Sequence, residues 1–220
     1  PVIAGTIDRF IRIKGEPNGK EYLRLKLIDF DSEVKINLND KLENLKKGDY
    51  LRSSIRVLKR YGIELDRGYN IEISGDIPIN AGLSSSSALT VAWLRFLTKV
   101  AVTDNKFKDE QFAKWAYESE VLEFNEAGGI MDQYTISIGG MLFINTLETT
   151  YKQLNIRLGG LIVGVSGIEK KTQKILTTLK DGALKAIKLV QKHNPNFKIH
   201  DAKKQDFYAL RKHLPFEIHQ

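Results

Sequence analysis

Fifteen residues in the middle of this chain restrict its fold more than any others: Gly75-Asp76-Ile77-Pro78-Ile79-Asn80-Ala81-Gly82-Leu83-Ser84-Ser85-Ser86-Ser87-Ala88-Leu89. Ahead of them, Tyr69–Ser74 alternates with period two, as a half-buried strand does. Behind them, Leu89, Ala92, Trp93, Phe96 and Val100 fall on one helical face. A strand, a Pro/Gly loop and a helix therefore follow one another directly. The first amides of a helix are unpaired and carry about half a positive charge in sum, which makes the junction an anion site. Gly82 lets the backbone come close to a phosphate, and the hydroxyls of Ser84, Ser85, Ser86 and Ser87 can donate to oxygens or ligate a cation. One serine is enough to cap a helix; four in a row exceed that need. The Gly-x-x-x-x-Gly-Lys-Ser/Thr pattern of a Walker loop is absent. Spacing alone leaves phosphate binding and a serine-rich cap equally open.

Around this junction the chain mixes strands and helices. Val2–Ala4, Phe10–Ile13, Tyr22–Leu27, Val34–Leu38, Met141–Ile144 and Leu161–Val165 read as strands. Residues 49–61, 108–123, 170–191 and 202–213 read as helices, Gly128-Gly129 breaks the second of these, and Ile130–Ile138 follows. The expected class is α+β. A boundary is expected at about 150, with residues 1–150 as one domain and 151–220 as the start of another. Trp93, Trp115 and Phe96 read as core residues.

Composition removes several function classes. With no Cys among 220 residues there is no thiolate mechanism and no Cys-based zinc site. No apolar run approaches the roughly 20 residues of a membrane span, and Pro1 opens no signal-peptide pattern, so a cytoplasmic soluble protein is expected. His193, His200, His213 and His219 show no metal-ligand spacing. The net charge of +7 gathers late: residues 151–220 hold 14 basic against 5 acidic side chains. That bias can serve nucleic acid, but Lys170, Lys171, Lys174, Lys185, Lys188 and Lys192 suit a solvated helix face. Few aromatics lie among them to stack on bases. The reading is against nucleic acid.

The stretch Pro78–Ala88 resembles the Pro-x-x-x-Gly-Leu-(Gly/Ser)-Ser-Ser-(Ala/Ser) signature of the GHMP kinases, the superfamily of galactokinase, homoserine kinase, mevalonate kinase and phosphomevalonate kinase. Gly128-Gly129-Ile130-Met131-Asp132-Gln133-Tyr134 is similar to the Gly-Ile-Met-Asp-Gln motif of its galactokinase branch. The resemblance implies that 82–87 wraps ATP phosphates, that Ser86 helps hold Mg²⁺, and that Asp132 is the catalytic carboxylate. It places a Mg²⁺-binding Glu twelve positions earlier, at Glu120, and gives the Gly129 backbone a contact with the sugar. It also implies a ribosomal-protein-S5-like first domain followed by part of a ferredoxin-like second one. Gly128 stands where a Cys is common, a minor departure.

Those roles make chemical sense. Phosphoryl transfer rests on positioning and charge stabilisation, Mg²⁺ takes a few hard oxygens and keeps waters, and a carboxylate can take the acceptor's proton. Residue types alone keep a helix cap open as the lesser alternative for Asp132, and make Glu120 by default one solvated carboxylate among Glu118, Glu123 and Glu126. The family's N-terminal motif, with its charge-stabilising Arg and sugar-gripping residues, is expected before Pro1, and its C-terminal Gly-rich motif has no counterpart by Gln220. Residues 1–220 by themselves are accordingly expected not to turn over. The expectation is an ATP- and Mg²⁺-dependent kinase acting on a monosaccharide, most simply at the anomeric hydroxyl of galactose. A GHMP kinase for another sugar or an isoprenoid acid, and a non-catalytic piece with a basic binding surface, are the alternatives.

Overall fold

A computed structural model of the chain describes residues 1–79, 81–103, 105–156, 158–164 and 172–211. Strands β1 (Val2–Gly5), β2 (Ile11–Pro17), β3 (Tyr22–Leu27) and β4 (Ser32–Asn37) precede helix α1 (Tyr50–Arg60). Strand β5 (Tyr69–Gly75) then leads through the Pro/Gly loop into α2 (Ser85–Val100). Helix α3 (Asp109–Tyr117) runs directly into a π-helical turn over Glu118–Leu122. After it come α4 (Met131–Ile138), β6 (Met141–Asn145), β7 (Thr150–Leu154), α5 (Thr172–His193) and α6 (Lys204–Leu210). Residues 1–170 form one compact unit and 171–220 a second.

The first unit holds two sheets, ordered β2-β5-β3-β4 and β1-β6-β7. All neighbours are antiparallel except β3 and β5, whose parallel register sets Leu25 beside Ile71. Alternation decides the faces: Leu23 and Leu25 of β3 are fully buried, whereas Arg24 and Lys26 point outward and Arg24 meets Glu33 at 2.8 Å. On the inner face, Leu51, Ile55 and Leu58 of α1 join Val91, Trp93, Leu94 and Leu97 of α2 and Phe112 and Trp115 of α3 in one core. A sheet whose pairs are mostly antiparallel is stable when covered on one side in this way.

Trp93 is fully buried, donates from Nε1 to the Leu51 carbonyl at 3.0 Å, and stacks on Phe96 with centroids 5.6 Å apart. Trp115 packs edge-on against Phe107 at 5.0 Å. Losing a buried aromatic of this kind costs about 3–5 kcal/mol, so core packing alone accounts for both tryptophans.

Two elements depart from the sequence reading. Strand β7 was not expected, because Thr150, Lys152 and Gln153 leave it too polar to stand out; it exists by pairing at the edge of β6. Conversely, Leu161–Gly164 is not a strand, and Leu161, Ile162 and Val163 are 63%, 100% and 45% exposed. No described strand pairs with it, and an apolar run without a partner has nothing to complete its ladder; Val165 lies outside the described residues. Lys185, Lys188 and Lys192 are exposed on α5, as a solvated face requires. Lys170, Lys171, the Lys174 side chain, His213 and His219 lie outside the described residues. No helix among those described is long and apolar enough to cross a membrane.

Candidate active site

The loop between β5 and α2 is pinned at its start. The Gly75 amide donates to Asp29 Oδ2 at 2.8 Å, and Asp76 Oδ1 accepts from the Phe10 amide at 2.5 Å. At its other end the backbone turns left-handed twice, at Gly82 (φ +80°) and at Ser84 (φ +55°). Glycine adopts that region freely, but at Ser84 it costs about 1–2 kcal/mol. Ser84 is the capping residue of α2, yet its side chain makes no capping hydrogen bond. The first amides of the helix are left without a side-chain cap, which is the condition for an anion site.

The four serines are not equivalent. Ser84 and Ser85 are half-buried and Ser86 is exposed, but Ser87 is only 4% exposed. Ser87 Oγ donates to Glu120 Oε2 at 2.8 Å. A set of four outward hydroxyls is therefore corrected to three.

Glu120 sits in the π turn, where the Glu123 amide bonds the Glu118 carbonyl at 3.0 Å and the Glu126 amide bonds that of Val121 at 2.9 Å. Such turns occur often at functional sites. The carboxylate is 5% exposed and takes a second hydrogen bond on Oε2 from Gln133 Nε2 at 2.5 Å. Burial pushes its pKa above the ordinary carboxylate value; Gln133, Ser87 and the Thr90 hydroxyl pull back, and the Asp132 charge adds to the rise. No cation pairs with it among the described residues. Its neighbours differ in their partners. Glu123 is gripped by Arg56 and Arg60, Glu118 accepts from Tyr61 Oη at 2.8 Å, and Glu126 lies 3.5 Å from Lys47. The Glu123 side chain is buried to a similar degree, so it is the missing countercharge that sets apart the residue that only motif spacing had selected.

Asp132 lies in the first turn of α4, half-buried, with no hydrogen bond or ion pair among the described residues. The capping position belongs to Ile130, so the cap reading of Asp132 is corrected. A helix N-terminus favours its negative charge. Gly129 is exposed with open space around it, which leaves its backbone approachable. A Cβ at Gly128 would come within 2.8 Å of Val121 Cγ2, so Gly there lets the chain pack against the π turn. Gln133, not singled out from the sequence, is 4% exposed, and its buried Oε1 has no partner. The available signal was its place as the closing residue of the Gly-Ile-Met-Asp-Gln motif, directly after Asp132 on a helix.

No group of three or more acidic or His side chains among the described residues gathers to hold a metal unaided. A buried carboxylate without a countercharge, facing a serine-lined helix start, nevertheless suits a hard divalent cation that draws its other oxygens from a bound ligand and water. The residues fit Mg²⁺ on those terms.

Residues 49–140 match the GHMP kinases N terminal domain. A galactokinase of Thermococcus kodakarensis is 30% identical over 160 residues, covering 70% of this chain and 43% of its own length. A mevalonate kinase structure from Methanococcus jannaschii superposes with a TM-score of 0.55 at 25% identity, over 66% of this chain and 47% of that one. A Lactococcus lactis galactokinase solved with galactose superposes with a TM-score of 0.80 at 18% identity, over 98% and 57%. That last likeness concerns the fold alone. The chain spans less than half the length of the curated relatives it matches. With the glycine–serine loop, the π-turn glutamate and the α4 aspartate in one unit, the chain belongs to the GHMP kinase superfamily.

Proposed function

We propose that this chain is the nucleotide- and acceptor-binding portion of a cytoplasmic, ATP-dependent sugar kinase of the galactokinase type. The observation that carries the reading is convergence: Ser87, Glu120 and Gln133 bond one another, so the start of α2 and the start of α4 face one site. In this reading Gly82, Leu83, Ser84, Ser85, Ser86 and Ser87 bind the ATP phosphates through backbone amides and the outward hydroxyls. Ser86 and Glu120 would hold Mg²⁺, which supplies charge neutralisation at the transferring phosphoryl group. Gly129 contacts the sugar through its backbone.

Asp132 orients the acceptor hydroxyl and accepts its proton as the acceptor oxygen bonds to the γ-phosphorus and the bond to ADP breaks. Its lack of any internal partner leaves it free for that role. The resemblance assigns residues 1–150 to an S5-like ATP-binding domain and 151–220 to the start of a ferredoxin-like one, with β7 pairing back onto β6 from across that boundary. The acceptor we favour is the anomeric hydroxyl of galactose or a close relative, because relatives at 30% and 33% identity are galactokinases. The test is ADP release by the encoded protein against galactose, other monosaccharides, mevalonate and homoserine. Galactose-dependent release supports the reading. Release with a different acceptor moves the chain to another GHMP kinase, and no acceptor-dependent release from a protein that binds ATP overturns the kinase assignment.

A further inference from the structure

On α2 and on α4 alike, one outward site residue is followed by an inward one. Successive helical residues point about 100° apart, so exposed Ser86 precedes buried Ser87, and half-buried Asp132 precedes buried Gln133. The two inward side chains meet at a single atom, Glu120 Oε2, with Ser87 Oγ at 2.8 Å and Gln133 Nε2 at 2.5 Å. Gln133 Nε2 also lies 3.3 Å from Ser87 Oγ, which closes a ring of side chains from three segments. No donor among the described residues lies within hydrogen-bond distance of Glu120 Oε1; the Thr90 hydroxyl, near enough to favour the Glu120 charge, points its own bond at the Ser86 carbonyl at 3.0 Å.

This ring is a poor way to fill a core. It buries an uncompensated charge and leaves Gln133 Oε1 without a partner; an orphaned buried polar atom costs about 1–3 kcal/mol. Apolar side chains of the same size would carry neither burden. The Gln133 amide also has only one workable orientation, since turning it over would set its oxygen against the carboxylate. The arrangement is fixed, and what it fixes is one oxygen of Glu120.

We propose that Ser87 and Gln133 are positioning residues that hold Glu120 by Oε2 and present Oε1 to the divalent cation of the bound nucleotide. The inference rests on the kinase reading above. Two donors on one oxygen stop the carboxylate from rotating and leave a single oxygen outward, as suits Mg²⁺, which binds one or two carboxylates along with phosphates and water. Because the ring members adjoin Ser86 and Asp132 in sequence, the ring also sets the spacing between the cation and the carboxylate that faces the acceptor.

The test uses the encoded protein with ADP, and Mn²⁺ as a probe whose binding is read by paramagnetic resonance. Gln133→Met keeps the side-chain volume and removes the donor. Its Mn²⁺ affinity in the presence of ADP is expected to fall about 10–100-fold, the usual effect of deleting a partner of a metal ligand, while metal-free ADP binding holds. Ser87→Ala is expected to weaken Mn²⁺ in the same direction, and Ser87→Thr, which keeps the hydroxyl, to restore it. Melting curves of all three report folding separately. Parental Mn²⁺ affinity in both Gln133→Met and Ser87→Ala overturns the positioning role. Equal losses of Mn²⁺ and metal-free ADP binding in Gln133→Met also overturn it, because that pattern marks general packing. A parent protein that binds no ADP at all overturns the kinase reading, and the positioning role falls with it.

Discussion

Helices α1 and α2 meet the same backbone problem at their first turns and solve it differently. At α1, Asp49 accepts from the Arg52 amide at 3.2 Å and pairs with the Arg52 guanidinium at 2.9 Å, so the end is closed by a side chain. At α2, four serines are available and none caps, and Ser84 is held left-handed. A chain that can cap one helix with a single Asp has no structural need to leave the other uncapped at the cost of strain. The acidic turn repeats the contrast: Glu123 is neutralised by two arginines, while Glu120, three residues away, is buried with neutral donors only. Closed ends and paired charges hold this fold together. The open end and the unpaired charges lie where a ligand with the opposite properties would bind.

The sharpest way to break that contrast is at the third unpaired group. Asp132→Asn keeps the shape of the side chain but cannot accept a proton. In the encoded protein, kcat is expected to fall by about 10²–10⁴-fold, while ADP still binds. Near-parental kcat would reduce Asp132 to a charge that favours the start of α4 and nothing more.

Glu120→Gln tests whether the buried charge is tolerated for function. The folded-state pKa of Glu120 lies above its ordinary 4.5, so its contribution to stability is fully present below that value and is lost as pH rises through the higher folded value. At neutral pH the parent therefore carries a penalty that the amide variant lacks. Melting temperatures are expected to show Glu120→Gln gaining on the parent from about pH 4.5 upward and matching it in acid, in the absence of metal. Divalent cation binding should drop in the same variant. A stability difference that does not change with pH would mean that the buried carboxylate carries no unfavourable charge.

How far the sequence reached follows from which residues carry periodic or motif signals. The alternation of Tyr22–Leu27 and Tyr69–Ser74 and the helical spacing of α2 made the main sheet and its covering helix legible. Strand β7 was not, because an edge strand with Thr150, Lys152 and Gln153 exposed has no alternation to read. Leu161–Val163 erred in the other direction, since apolar runs signal burial only where a partner exists to bury them. At the site, motif spacing reached Ser86, Glu120 and Asp132. Nothing in one dimension separates Ser87 from its three neighbours; the 100° step of the helix does that. Gln133 was hidden for the same reason, as its role depends on a carboxylate thirteen residues away that faces it only across the turn.

The smallest expected effects compare the two helix starts directly. Asp49→Ala removes a working cap and is expected to cost about 1 kcal/mol. Ser84→Gly should act in the opposite sense. Glycine relieves the roughly 1–2 kcal/mol of left-handed strain and returns part of it, about 0.5–1 kcal/mol, as extra freedom in the unfolded chain. The net gain is a few tenths of a kcal/mol up to about one. Since about 1 kcal/mol moves the melting point of a chain this size by roughly 2–4 °C, thermal unfolding resolves both signs. Asp49→Ala should melt a few degrees lower, and Ser84→Gly level with the parent or slightly higher. A lower melting point for Ser84→Gly would show that the Ser84 side chain stabilises α2 after all. The open helix start would then be an ordinary cap, and the contrast with α1 would lose its functional meaning.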